Sequence, residues 1–170
     1  MSDSFQNLQV HSFPDVAEIE FQAIHKNYLK VILLNTFLVF FIFYVGLTIA
    51  VYFDVFEEIT AYIYVFYLAI TIFFSVTIFI KFIGFKKRKY AVRDKDISYK
   101  SGIFFKSLTT VPFNRIQHIE IDQGPISRFF GLSSLNVFTA GDSSDDLEIS
   151  GLSQEDALKI KEFISTKIHG

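Results

Sequence analysis

The sequence predicts an α+β protein in two parts. A hairpin of two membrane-length helices comes first. A small, strongly bent antiparallel sheet of about seven strands follows, capped by one C-terminal helix. Three observations carry this reading. Residues 31–80 hold two uncharged apolar runs. From about Lys86 the pattern changes to short β runs broken by turn residues. After Ser153 apolar residues recur at helical spacing to the end of the chain.

The first run, Val31–Phe53, has 23 residues and the second, Ala61–Ile80, has 20. At about 1.5 Å per residue, either crosses a hydrocarbon core of roughly 30 Å as a helix. Neither alternates apolar with polar, which argues against membrane β-strands. Their many Ile, Val, Phe and Tyr residues disfavour helix in water. In lipid that preference is overruled, because a helix satisfies its own backbone hydrogen bonds. The 16 Ile, Leu, Val and Phe residues of the first run contribute roughly 0.3–0.6 kcal/mol each near mid-bilayer and outweigh Asn35, Thr36 and Thr48. A pair of core helices in a soluble protein would not need 43 of 50 consecutive residues in two uncharged runs. A signal peptide fits poorly too, since the run is too long and follows an acidic start.

Charge placement orients the hairpin. The connecting segment DVFEEIT, residues 54–60, carries Asp54, Glu57 and Glu58 and no base. The outer flanks carry Lys26 and Lys30 before the first run, then Lys81, Lys86, Lys87, Arg88 and Lys89 after the second. Lys and Arg stay in the cytoplasm, so both termini are expected inside a multi-pass protein of the cell membrane. The expected organisation is a cytoplasmic segment 1–30, a hairpin 31–83 (helices 31–53 and 61–83), and a cytoplasmic domain 86–168. Residues 81–100 carry eight bases against two acids, a block that topology alone explains. Lys86, Lys87, Arg88 and Lys89 are also candidates for facing anionic lipid headgroups.

The C-terminal part reads as strands with punctuation. KKRKYAV reaches a polar turn at 93–96. ISYKSGIFF contains a Ser-Gly turn at 101–102. SLTTVPF and NRIQHIEID follow. Gly124–Phe130 lies between glycines and suits one helical turn, with Pro125 near its start. SSLNVFTA, the turn GDSSDD and LEISGL complete the set. In 116–122, strict alternation puts Gln117, Ile119 and Ile121 on one face and Ile116, His118, Glu120 and Asp122 on the other. Ser153-Gln-Glu-Asp156 resembles a capping box. Ala157, Ile160, Ile164 and Ile168 then form one apolar stripe, and Lys167 and His169 sit where cations suit the helix dipole.

The stretch NRIQHIEIDQGPISRFFGLSSLNVFTAG resembles the signature of the second class of bacterial pleckstrin-homology (PH) domains. The matching residues are Pro112, Arg115, Ile116, Gln117, Gln123, Gly124, Pro125, Arg128, Phe130, Gly131, Leu132, Thr139, Ala140 and Gly141, and Tyr90 and Gly102 also suit it. The resemblance covers about residues 86–168, and the paired spans match the family's usual layout. It implies a PH-like fold of seven bent strands and a C-terminal helix held at the cytoplasmic membrane, and no catalytic site. It also favours a structural role for Arg115 and Arg128, bracing the loop around Gly124 and Pro125. Lipid-binding PH domains cluster bases in the first strand–strand loop. The sequence places that loop at Arg93-Asp94-Lys95-Asp96, where the acids blunt the field.

Other chemistry finds little support. The chain has no cysteine, which excludes disulfides, Fe–S clusters and thiol catalysis. His11, His25, His118 and His169 are scattered, without metal-ligand spacing. His118 beside Glu120 lacks a nucleophile or oxyanion loop. Asp142, Asp145, Asp146 and Glu148 lack the spacing of a calcium loop and suit a solvated hairpin end. No phosphate-binding glycine loop is present. The expectation is therefore a non-enzymatic adaptor or scaffold without cofactor or metal, alternatively a sensor of anionic lipid or envelope state through the basic segment. Expected partners are the lipid bilayer and another membrane protein, with a homo-oligomer also possible. Gly46 and Ala50, four apart, would allow close helix approach. Nucleic acid is not expected, since the aromatic residues lie mainly in the spans.

Overall fold

The computed structural model describes residues 19–53, 62–141 and 146–169. Readings that fall on residues 1–18, on the acidic segment 54–60, on Asp142 and Asp145, and on the side chain of His169 lie outside the described residues.

Both apolar runs are helical. Helix α1 is Tyr28–Tyr52 and α2 is Ile63–Lys87. Each is long and apolar enough to cross a membrane. Their large side chains face outward on nearly every side, with Val31, Thr36 and Ile63 the buried exceptions. Exposed apolar surface on this scale calls for lipid or a partner around it. Helix α2 runs further than the apolar run does, so Lys86 and Lys87 form its last turn.

The strands are β1 (Gln22–Ala23), β2 (Lys89–Val92), β3 (Asp96–Ser101), β4 (Ser107–Pro112), β5 (Ile116–Asp122), β6 (Leu132–Thr139) and β7 (Leu147–Ser153). They form two antiparallel sheets, β1-β2-β3-β4 and β5-β6-β7. A 3-10 turn, Phe113–Arg115, joins them. The short helix α3 is Pro125–Phe129 with proline in its first turn, and α4 is Gln154–His169.

The core lies between the sheets and α4. Ile97, Leu135, Val137, Ile149, Ala157 and Ile164 are completely buried there. The capping box holds: the Asp156 N–H donates to Ser153 Oγ at 3.0 Å, and that hydroxyl donates to Asp156 Oδ2 at 2.6 Å. The stripe Ala157, Ile160, Ile164 and Ile168 packs on the sheets as its spacing requires. Phe163 adds an edge-on contact with Phe113 at 6.2 Å.

Three features differ from simple strand reading. First, β1 precedes the helices in sequence yet pairs with β2, Gln22 opposite Tyr90 and Ala23 opposite Lys89. The first strand–strand connection is therefore the helical hairpin itself, and 93–95 is the second. Six strands come from the region after the hairpin, and the seventh from before it. A two-residue strand gives no periodic signal of its own.

Second, β5 does not alternate strictly. Ile116 and Ile119 are buried, while Gln117, His118, Glu120 and Asp122 are exposed. A register shift between Ile116 and His118 makes Gln117 the extra residue of a bulge. The bulge resets the parity, so Ile116 joins the core face that alternation denied it and Gln117 leaves it.

Third, β7 carries a bulge at Gly151, between Ser150 opposite Ser134 and Leu152 opposite Ser133. Its φ of 88° lies in the left-handed region. An added Cβ would stand 2.5 Å from Tyr28 Cγ. Glycine here lets the first residue of α1 lie against the sheet.

Candidate functional site

The hairpin meets the sheets without a slack linker. Before α1, the His25 N–H donates to the Gly151 carbonyl at 2.8 Å. After α2, Arg88 is the single residue separating helix from β2. Its guanidinium lies over the Tyr28 ring at 5.8 Å. The loop after β3 touches α2 as well, since a Cβ at Gly84 would stand 3.2 Å from Ile103 Cδ1. That loop turns tightly at Gly102, φ 103°, where any Cβ would collide with the Phe105 carbonyl. Helix α3 also contacts α1.

A cleft of about 780 Å³ opens at this junction. One wall is made by the sheet-proximal turns of α1 and α2, with Asn35, Lys81 and Arg88. The other is made by β3, its following loop and β7, with Tyr99, Ile103 and Glu148. Burial pushes the pKa of the Tyr99 hydroxyl upward. Arg88 opposes the shift, while Tyr28 and Glu148 reinforce it. Tyr90, opposite Tyr99 in the ladder, is raised by burial and secondarily by Asp156.

The basic block does not form one patch. Lys86 is exposed with its ammonium over Phe82 at 4.6 Å. Lys87 is exposed at the helix end, and Lys89 is exposed on β2. Arg88 alone of the four lines the cleft. Lys81 lines it too, and sequence reasoning counted Lys81 only as a topology signal. The signal for its role is its spacing: Lys81, Gly84 and Arg88 repeat at three and four residues, as do Tyr28, Ile32 and Asn35.

The signature residues act through backbone and turn geometry. Gln123 Nε2 donates to the Leu132 carbonyl at 3.2 Å and to Ser133 Oγ at 2.9 Å, closing the α3 loop. Gly124 precedes α3, Pro125 begins it, and the Arg128 N–H donates to the Gly124 carbonyl at 2.8 Å. The Gly131 carbonyl accepts from the Gln154 N–H at 3.2 Å, and the Ala140 N–H donates to the Arg115 carbonyl at 2.8 Å. Gly141 continues that turn, and Pro112 ends β4. The Arg115 and Arg128 side chains are exposed and make no hydrogen bond or ion pair among the described residues. Of the two, only the Arg128 main chain touches the loop around Gly124 and Pro125, and the Arg115 carbonyl instead holds the turn at Ala140.

The Arg93–Asp96 turn is neutralised from within. Arg93 Nε and Nη2 donate to the two Asp96 carboxylate oxygens at 2.7 Å each. His118 Nε2 stands 3.7 Å from Glu120 Oε1 on an open surface, stacked on Phe138. Asp146 Oδ1 accepts from the Thr139 N–H at 2.9 Å, a turn contact. Among the described residues no three acids or histidines cluster as metal ligands.

Comparison with known proteins finds three similarities. The transmembrane protein YdbS of Bacillus subtilis (strain 168) is 32% identical over 91 residues, which make up 53% of this chain and 55% of that protein. The chain thus matches only about half the length of that curated relative. The crystal structure of a DUF1696 family protein with a pleckstrin-homology domain from Shewanella loihica is 21% identical. It covers 48% of this chain and 70% of its own, with a TM-score of 0.37. The bacterial PH domain family matches residues 31–168, from within α1 into α4. The chain belongs to that family.

Proposed function

We propose that this protein is a membrane-anchored adaptor. In this reading α1 and α2 cross the cell membrane, both ends face the cytoplasm, and the PH-like module binds a neighbouring membrane protein without catalysis. The observation that carries it is the open outer edge of β4. This strand pairs with β3 on one side only, and Leu108 stands 47% exposed on it. An unpaired edge presents main-chain donors and acceptors that a partner's strand can join. Anchoring in two dimensions raises the effective concentration of such a partner. Lys86 and Lys87 at the end of α2 support the orientation.

A photoreactive side chain at Leu108, in the full-length protein in native membranes, tests this. One discrete protein adduct is expected, and a charge placed on the edge by Leu108→Lys, with the probe moved to Thr110, should abolish it. Capture that is unchanged by the added charge, or no capture at all, overturns the adaptor reading. An adduct of twice the chain mass would name a second copy as the partner. A tag at Gly170 that is reachable from outside intact cells overturns the orientation.

A further inference from the structure

The junction cleft carries an inference independent of the adaptor reading. Lys81 and Arg88 lie on one stripe of α2, seven residues apart, which at about 1.5 Å per residue is roughly 10 Å along the axis. Both line the same cleft. Neither forms an ion pair among the described residues. The one carboxylate lining the cleft among the described residues, Glu148, already accepts the Ser150 hydroxyl at 2.6 Å. Two cations against one anion leave the cleft net positive.

Lys81 is positioned rather than loose. Its Nζ donates to Thr36 Oγ1 at 2.9 Å, and that buried hydroxyl donates in turn to the Ile32 carbonyl at 2.7 Å. An ammonium has three donors, so two remain for a ligand.

The rim of the cleft is apolar. Phe104 and Phe105 stand 82% and 92% exposed on the loop that Gly102 turns and Ile103 fixes against α2. They contribute nothing to the core. Two bare phenylalanines beside two cations that form no ion pair among the described residues match an anion that carries its own apolar chains. We propose that the cleft binds an anionic glycerophospholipid, with Lys81 and Arg88 holding the headgroup phosphate and Phe104 and Phe105 lying along its acyl chains. Free phosphate would use the same cations but would leave the phenylalanines unexplained.

The test titrates the full-length protein in neutral detergent with phosphatidylglycerol or phosphatidylcholine and reads bound lipid by native mass spectrometry. Phosphatidylglycerol is expected to bind in preference. Lys81→Gln with Arg88→Gln should weaken it about tenfold or more, as loss of charge-assisted hydrogen bonds implies. Phe104→Ser with Phe105→Ser should weaken it as well, in a protein that folds normally because both side chains are exposed. Lys86→Gln with Lys87→Gln, outside the cleft, should bind as the parent does, and inorganic phosphate should not displace the lipid. Equal binding of the two lipids, undiminished affinity in either cleft variant, or displacement by inorganic phosphate overturns the assignment.

Discussion

The hairpin and the module are held together by opposite means. In the module, side chains from β6, β7 and α4 disappear into a shared core. In the hairpin most large side chains stand exposed and very few are buried. The contacts between α1 and α2 are few and specific. Phe40 packs on Phe74 at 4.6 Å and on Phe73 at 5.8 Å, and Tyr44 stacks on Tyr67 at 5.8 Å. The Tyr44 hydroxyl bonds to Thr71, Thr48 bonds to the Tyr67 hydroxyl at 3.0 Å, and Lys81 reaches Thr36. Water forces apolar side chains together without choosing among them, so a dense core suffices for the module. Lipid tails are as apolar as the helices, so register in the hairpin must come from rings and hydroxyls that fit one another.

The largest expected effect tests the module's side of that contrast. Leu135→Ala empties a completely buried position and should cost about 2–5 kcal/mol. Denaturant unfolding in detergent, followed by circular dichroism, measures it. Phe43→Ala, at a side chain 64% exposed, should stay within about 0.5 kcal/mol in the same assay. Equal losses would break the comparison.

The joint between the two regions comes next. Gly151→Ala meets both the left-handed φ and the Tyr28 ring, and strain of about 1–3 kcal/mol follows from the backbone alone. Adding Tyr28→Ala relieves the collision but not the φ, so the double variant should recover part of the loss. A neutral Gly151→Ala would mean that the joint has slack. Inside the hairpin, Tyr44→Phe removes the bond to Thr71 and should cost only about 0.6 kcal/mol, because the separated helices find other partners. Thermal unfolding of the helical signal reads it.

The smallest effect appears at high pH. Burial raises Tyr99 above its ordinary value, so the folded state keeps this proton where the unfolded chain gives it up. Its contribution is fully present below the unfolded value near pH 10 and is lost as pH rises through the folded value. Tyr99→Phe should flatten the alkaline fall in the denaturant midpoint, and an unchanged slope would exclude the residue as its source.

Legibility follows the same division. Both helices are readable because a long uncharged run has one good solution in lipid. The strands of the module and α4 are readable from turns, alternation and the capping box. What escapes is whatever depends on a distant partner. Nothing local to Gln22 and Ala23 announces a strand, since their pairing needs β2, which follows after the hairpin. Gln117 breaks alternation through its register with β6, and Gly151 is fixed by Tyr28. The cleft was half visible: Lys81 and Arg88 stand out as charges, but their convergence with Phe104 and Phe105 needs the β3–β4 loop folded back against Gly84.

The chain enters α1 from a residue bonded to the sheet and leaves α2 directly into a strand. The module is therefore no balloon on a string. Its orientation is tied to that of the stem by a main-chain bond at one end and a single connecting residue at the other. Whatever tilts the stem turns the module with it.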